Sequence, residues 1–380
     1  MTSSNPRIVL LGPSPPDRGG IARETALLAR ELESHVSVTY LTFARPYPRW
    51  LDPRRFDRSP EAHQAAAAGR PILDYRSPRS WRRTALEISS LEPEAVVVPW
   101  WTSFWGLPIR AVLREVEKRS PRTARVLLCH NVDDHESGVL KRFLAQGAIL
   151  SADAFVVHGR EDARRLESRA PGRPVLVLPH PVVAAPPVER DRARRELGID
   201  VPLVLFLGLV RRYKGVETLL DAAPALVRET GARIAVVGEV FAEARELEGR
   251  WKASPARESI FWRDEYVSEE EMGRWLAACD VVVLPYRYVS GSGIAARAFA
   301  ARRPVAAAAV GGLAETVEPG VTGELFAPGD PAALSAAVRR VLSRSPGHYE
   351  RGLARAAEGA SWSSYVHALL SFLRSLPRNG

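Results

Sequence analysis

The chain of 380 residues has only two cysteines, Cys129 and Cys279, each inside an apolar run. Two isolated cysteines exclude a disulfide framework, and no cysteine–histidine spacing of the metal-binding kind is present. Long hydrophobic runs are also missing. No segment approaches the ~18 uncharged apolar residues that a membrane-spanning helix needs. The apolar stretch in the opening MTSSNPRIVLLGPSPP is too short for a signal-peptide core. These absences predict a soluble protein of a reducing cytoplasm, with room for a peripheral position on the inner face of a membrane. The turn GPSPPDRGG after the first apolar run lacks the G-x-G-x-x-G spacing of a dinucleotide site, which removes support for a nicotinamide dehydrogenase. No nucleic-acid-binding motif is found, and the arginines are scattered rather than striped, so nucleic acid is not an expected partner.

What is present is the composition of a packed globular protein, 46% hydrophobic and 26% charged, at a length that suits two domains. The net charge of +9 favours anionic partners such as phosphorylated ligands or an acidic membrane surface. A GC-rich genome would produce the same arginine excess.

Short apolar runs alternate with amphipathic stretches along the chain. The runs are Arg7–Gly12, Val36–Phe43, Ala95–Trp101, Arg125–Val132, Ala154–His158 and Val175–Pro179, then Leu203–Gly208, Arg233–Gly238, Ser259–Trp262, Val281–Tyr286 and Pro304–Val310. Continuous Val/Leu/Ile runs suit strands buried on both faces of a parallel sheet. Helical periodicity lies between them, as in Ile21–Glu33, Val216–Arg228, Glu269–Ala278 and Pro331–Leu342. This β-α-β rhythm predicts an α/β protein of two Rossmann-like domains. The proline-bearing stretch Val183–Val188 is the expected linker, dividing residues 1–183 from 184–360. Ligands of such sheets bind beyond the carboxyl ends of the strands, which points to the cleft between two facing domains.

Three clusters carry the chemistry. In GLVRRYKGVETLLDA, Gly208 to Ala222, a strand ends, a basic loop follows and a helix begins. Arg211 and Lys214 there suit a diphosphate, although a solvated turn would look the same. In the second cluster Ser290-Gly291-Ser292-Gly293 leads from a strand end into a helix, and small residues let a phosphate approach the backbone. The third lies in the first half. Gly19 and Gly20 precede a helix, and His130 and Asn131 end a buried strand in LLCHNVDDHES. Structural hydrogen bonding explains one polar residue at such a place, and a cluster of them favours a site.

Together these residues resemble the large family of retaining glycosyltransferases with the GT-B fold, over nearly the whole chain. The first glycine turn, the Arg-x-x-Lys-Gly loop, and the small-residue loop before ARRPVAAAAVGGLAE carry the likeness, with VTGELFAPGDPAAL behind them. The first half resembles a bacterial subgroup with similar WWTSFW and HNVDDHE segments. The resemblance implies a metal-independent enzyme with no cofactor, which moves a sugar from a nucleotide-diphosphate sugar to a glycan or lipid-linked acceptor with retention. It implies that Arg211 and Lys214 bind the diphosphate, that Ser292, Gly293 and Ile294 receive the distal phosphate, and that Gly291 belongs to the same donor site. Asp264 to Val267 would lie near the base, Gly20 beside Gly19 would approach the sugar phosphate, and His130 would sit by the transferred sugar. The final helix, residues 361–380, would pack on the first domain. Many relatives carry two glutamates with seven residues between them in the second loop, where this chain has Val289 and Arg297. The second glutamate usually holds ribose, and an arginine accepts no hydrogen bond. Either Arg297 turns to the phosphates, or ribose is held differently, or the chain is an inactive assembly partner.

The acceptor side is written less clearly. Phe43 to Phe56 and Arg76 to Arg83 mix arginines with aromatics. They suit an acidic membrane surface, or else a long solvated loop. Trp100, Trp101, Phe104 and Trp105 could form a platform for a sugar ring, or they could pack in the core.

Overall fold

The apolar runs form parallel strands that sort into two sheets. The computed structural model describes residues 7–15, 17, 20–45, 69–132, 138–182, 188–345 and 347–377. The chain divides into two compact units, Met1–Leu178 with Trp362–Gly380, and Pro179–Ser361. Each unit has its own hydrophobic core.

The first unit contains β1 (Arg7–Leu11), β2 (Ser37–Arg45), β3 (Arg70–Asp74), β4 (Ala95–Trp100), β5 (Ala124–Cys129), β6 (Ala154–Val157) and β7 (Val175–Val177). Their order across the sheet is β3-β2-β1-β4-β5-β6-β7. Every residue of β4 and β5 is buried, which is why these strands read as mostly apolar runs without alternation. The second unit contains β8 (Leu203–Leu207), β9 (Arg233–Val237), β10 (Ile260–Arg263), β11 (Val281–Leu284), β12 (Val305–Ala308) and β13 (Gly323–Phe326). Their order is β10-β9-β8-β11-β12-β13. Strand order reverses between β1 and β4 in one sheet and between β8 and β11 in the other. Chain leaving the strands on either side of such a point runs in opposite directions, which opens a crevice at the carboxyl ends. The expected pair of Rossmann-like α/β domains is therefore what the chain adopts.

Helix boundaries follow local chemistry. Helix Glu269–Ala278 starts where expected because Ser268 and Glu271 form a reciprocal capping box. Helix Pro331–Leu342 starts at a proline behind Asp330, whose carboxylate accepts from the Ala332 and Ala333 N–H groups. Helix Trp362–Ser375 belongs to the first unit, where it packs along helix Gly20–Glu33.

The sequence reading missed two strands. β3 offers only Ile72 and Leu73 as buried apolar residues, and β13 carries Gly323 and Glu324, so neither forms an apolar run. The basic stretch Arg76 to Arg83 is not a long loop. It enters helix Pro78–Ser90 behind the Ser77 cap, and Trp81 Nε1 donates to the Asp74 carbonyl at 2.8 Å. Arg76, Arg79, Arg82 and Arg83 remain exposed. The aromatic–arginine stretch after Arg45, up to Phe56, and linker residues 183–187 lie outside the described residues. Among the described residues no helix is long and apolar enough to cross a membrane.

Candidate functional site

In the second unit the two phosphate-like loops flank the point of strand reversal, since one follows β8 and the other follows β11. After β8 the chain turns at Gly208, with φ of +106°. Val210 bridges to Val240, and Arg211 precedes a short helical turn, Arg212–Lys214. Gly215 follows at φ +65° and opens helix Val216–Thr230. A Cβ on Gly215 would stand 1.9 Å from the Pro285 carbonyl oxygen, so only glycine lets this turn lie against the end of β11. The Arg287 N–H donates to the Tyr213 carbonyl at 2.8 Å and ties the two segments together.

Lys214 is 8% exposed. Its ammonium lies 5.5 Å from the centre of the Tyr286 ring and 6.0 Å from that of Phe206. Burial, helped by the nearby Arg211 charge, lowers its pKa to about 8. A buried ammonium with aromatic neighbours is costly unless an anion arrives. Arg211 is half-exposed. Its Nε donates to Glu243 Oε1 at 2.9 Å and its guanidinium lies 4.7 Å from the Phe241 ring centre. These contacts fix one edge of the fork.

The second loop is shaped from beneath. Gly311 has φ of +44°, and a Cβ there would meet the Val289 carbonyl at 1.9 Å. A Cβ on Gly312 would meet the Ser290 carbonyl at 2.1 Å, and its N–H donates to Val289 at 3.2 Å. Above these glycines Ser292 caps helix Gly293–Ala300 by accepting from the Ala295 N–H. The Ala296 N–H is taken by the Ser292 carbonyl. The N–H groups of Gly293 and Ile294, in the first turn, have no helical acceptor, as in any helix. The loop also approaches the lysine. A Cβ placed on Gly208 would lie 3.4 Å from Lys214 Nζ and 3.6 Å from Ile294 Cδ1. A buried cation, two glycine turns and a helix N-terminus thus converge at the crevice, a setting for a phosphate or diphosphate.

Arg297 follows one turn later, and its Nη1 donates to Glu269 Oε2 at 2.6 Å. Glu269 is the first residue of its helix, and sequence separation hid this partner. Val267 is buried just before that helix. Asp264 accepts from the Val240 N–H at 2.7 Å, which holds the end of β10 against the turn after β9. Gly291 and Ser292 are partly exposed.

In the first unit His130 follows β5. It is 8% exposed, and its N–H donates to the Trp100 carbonyl at 2.8 Å. Asn131 Nδ2 donates to the Trp101 carbonyl at 3.3 Å. Gly20 is exposed at the start of its helix, with nothing within 4 Å of a Cβ placed there. Gly19 lies outside the described residues. The aromatic platform needs correction. Trp100 and Trp105 are 1% and 0% exposed, and Trp105 stacks on Phe43 at 4.0 Å. Their ring faces are filled by core side chains and offer none to a sugar. Trp101 and Phe104 are partly exposed. Both cysteines are fully buried, and burial pushes their thiols up, so neither supplies a thiolate.

Comparison with known proteins adds lineage to this geometry. Residues 201–344, which hold both loops, match the family described as Glycosyl transferases group 1. The chain is 32% identical over 254 residues to D-inositol 3-phosphate glycosyltransferase 1 of Catenulispora acidiphila, covering 61% of this chain and 59% of that one. It is 32% identical over 237 residues to a protein of the same name from Geodermatophilus obscurus, covering 59% and 52%. The matched region therefore spans less than two thirds of these relatives. Among solved structures, sucrose-phosphate synthase from Thermosynechococcus elongatus aligns over 97% of this chain and 99% of its own, at 20% identity and a TM-score of 0.74. Anabaena Alr3699/HepE, solved with UDP-glucose, aligns over 97% and 100% at 16% identity and a TM-score of 0.75. Likeness at that identity speaks for the fold, which is GT-B.

Proposed function

We propose, for a GT-B chain whose residues 201–344 match the group 1 glycosyl transferases, that it moves a sugar from a nucleotide-diphosphate sugar to an acceptor hydroxyl. The convergence of Lys214 and the Gly293–Ala300 helix N-terminus on Gly208 carries this reading. Lys214 and Arg211 hold the diphosphate, and the N–H groups of Gly293 and Ile294 receive the distal phosphate across the Gly291-Ser292 turn. As the bond to the sugar breaks, negative charge grows on the leaving diphosphate. Preorganised cations and backbone dipoles stabilise that charge more than the ground state. Cations and backbone N–H groups so placed would neutralise the diphosphate in place of a metal, and the absence of any other cofactor is part of the same proposal.

The remaining roles rest on resemblance. Val267 borders the base, Gly20 beside Gly19 approaches the sugar phosphate, and His130 holds a hydroxyl of the transferred sugar or stabilises its developing charge. Retention of configuration belongs to the same reading. The acceptor is a glycan or lipid-linked glycan, with Asn131 and Trp101 near it, and the exposed arginines of Arg76 to Arg83 suit an acidic membrane surface. The names of the relatives add inositol 3-phosphate as an acceptor to be tried.

Calorimetric titration with UDP, GDP and ADP, without added metal, tests the proposal. One nucleotide should bind, and Arg211→Ala or Lys214→Ala should weaken it about tenfold, as expected for one lost charge-assisted contact of ~1.4 kcal/mol. Failure of all three to bind would overturn the donor site. Binding without transfer to any acceptor would favour an inactive assembly partner, the reading that Arg297 motivates.

A further inference from the structure

The first unit holds a cluster of side chains of which the resemblance to sugar transferases explains only His130. β5 and β6 are parallel neighbours with Cys129 opposite Val157, so the residues that follow them, His130 and His158, emerge side by side. Their ring centres are 5.2 Å apart. Both side chains are buried, at 8% and 5% exposure. Glu24, on helix Gly20–Glu33, brings its Oε2 to 3.7 Å from His130 Nδ1. One donor atom from each of the three lies within 4.8 Å of the others.

We propose that Glu24, His130 and His158 form a transition-metal site, and that Zn2+ is the ion it takes. Two imidazoles and one carboxylate are a donor set that zinc accepts, with a fourth position left for water or a ligand. The Glu24–His130 separation is beyond hydrogen-bond range. It is close to the edge of a tetrahedron whose metal–ligand bonds are about 2.1 Å, an edge of about 3.4 Å.

A second, independent feature is the setting of His158. Its Nδ1 lies 3.1 Å from the Leu178 carbonyl oxygen. A carbonyl only accepts, so Nδ1 carries the proton and the buried Nε2 presents its lone pair. A backbone carbonyl on the far nitrogen is the usual device that orients a metal-binding imidazole and raises its basicity. Tyr365, on helix Trp362–Ser375, completes the surroundings. Its ring centre is 6.5 Å from that of His158. Its buried hydroxyl makes no hydrogen bond among the described residues. Such a donor serves a metal-bound water or the carboxylate that holds the ion.

The three ligands proposed here all lie in the first unit, and the site does not depend on the sugar-transfer reading. None of its ligands belongs to the set proposed for the diphosphate. An ion here would engage His130 and withdraw it from a substrate, so zinc would act as an inhibitor of any reaction that uses that imidazole.

Zn2+ titration of the untagged, metal-stripped full chain against a chromophoric chelator tests the proposal, together with the visible absorption of the Co2+ form. One ion should bind per chain, and the Co2+ form should show the intense bands of low coordination number. His158→Gln and Glu24→Gln should each weaken Zn2+ at least tenfold and remove those bands. His367→Ala serves as the control, because its ring stands 4.9 Å from that of His35 and makes a competing histidine pair; it should change neither readout. Should a variant fail to fold, the rise in thermal midpoint of the wild-type chain with Zn2+ still reports binding to the native state. Absence of saturable one-to-one binding would overturn the site. So would binding that survives both ligand variants or vanishes with His367→Ala.

Discussion

Arg297 donates through Nη1 to Glu269 Oε2 across 2.6 Å, and both side chains are largely shielded from water, at 21% and 27% exposure. The pair places a carboxylate beside the very position where many relatives carry a glutamate of their own. A guanidinium so engaged is not free to turn wholly toward a phosphate, and a carboxylate so held can still accept from ribose hydroxyls. Glu269→Gln should therefore weaken UDP about tenfold while inorganic pyrophosphate binds as before (~1.4 kcal/mol for the lost charged acceptor). Arg297→Ala should weaken UDP as well, by releasing Glu269. Calorimetry on both ligands separates the two, and unchanged UDP affinity in both variants would remove ribose from this pair.

If Lys214 holds the diphosphate as proposed, nucleotide binding should depend on pH. The Lys214 pKa, depressed to about 8 by burial and then by Arg211, means that the ammonium is present below pH 8 and lost above it. UDP affinity should fall as pH rises through 8, and binding near pH 8 should take up a proton, because a bound diphosphate raises that pKa. Calorimetry in buffers of differing ionisation enthalpy measures the uptake.

The same residue opposes folding. Between pH 8 and about 10.5 the unfolded chain binds the Lys214 proton and the folded chain does not, so this group's contribution to stability rises with pH across that window. The penalty below pH 8 is about 3 kcal/mol at most. Lys214→Met should raise the thermal midpoint at pH 7 while weakening nucleotide binding about tenfold. A lower midpoint would show that the ammonium is better satisfied than its burial implies.

Two glycines separate backbone strain from ligand approach. Gly215→Ala forces a Cβ against the Pro285 carbonyl at positive φ and should cost more than ~2 kcal/mol in denaturant unfolding. Gly20→Ala meets nothing within 4 Å and should leave stability within about 0.5 kcal/mol. A loss of turnover in Gly20→Ala would then report a substrate that needs the space.

Trp105→Ala should destabilise by about 3–5 kcal/mol, since a fully buried ring stacked on Phe43 leaves a cavity. Trp101→Ala should cost less than half of that. Urea midpoints on the two variants test the division of this aromatic group between core and surface.

Much of the architecture was legible in the sequence because burial on both faces of a parallel sheet demands long Val/Leu runs, as in β4 and β5. Caps were equally legible, since Ser268 with Glu271 and Asp330 with Pro331 act within one helical turn. The two loops proposed for a diphosphate stood out in the sequence because glycine, lysine and arginine punctuate strand ends. β3 and β13 escaped because their buried apolar positions are too few to form a run.

The amino-acid sequence by itself thus determined the elements, their parallel pairing and the residues that end at the crevice of each sheet. Tertiary structure alone decided which of those residues meet. Sequence separation conceals a partner 28 or 32 positions away, so Glu269 and Glu243 became visible only where the fold brought them to Arg297 and Arg211. Burial decided the aromatics in the same way: WWTSFW reads alike whether its rings face water or core, and only packing turned Trp100 and Trp105 inward. His130 and His158 share one level because neighbouring parallel strands are held in register by hydrogen bonds, a relation that no local pattern records.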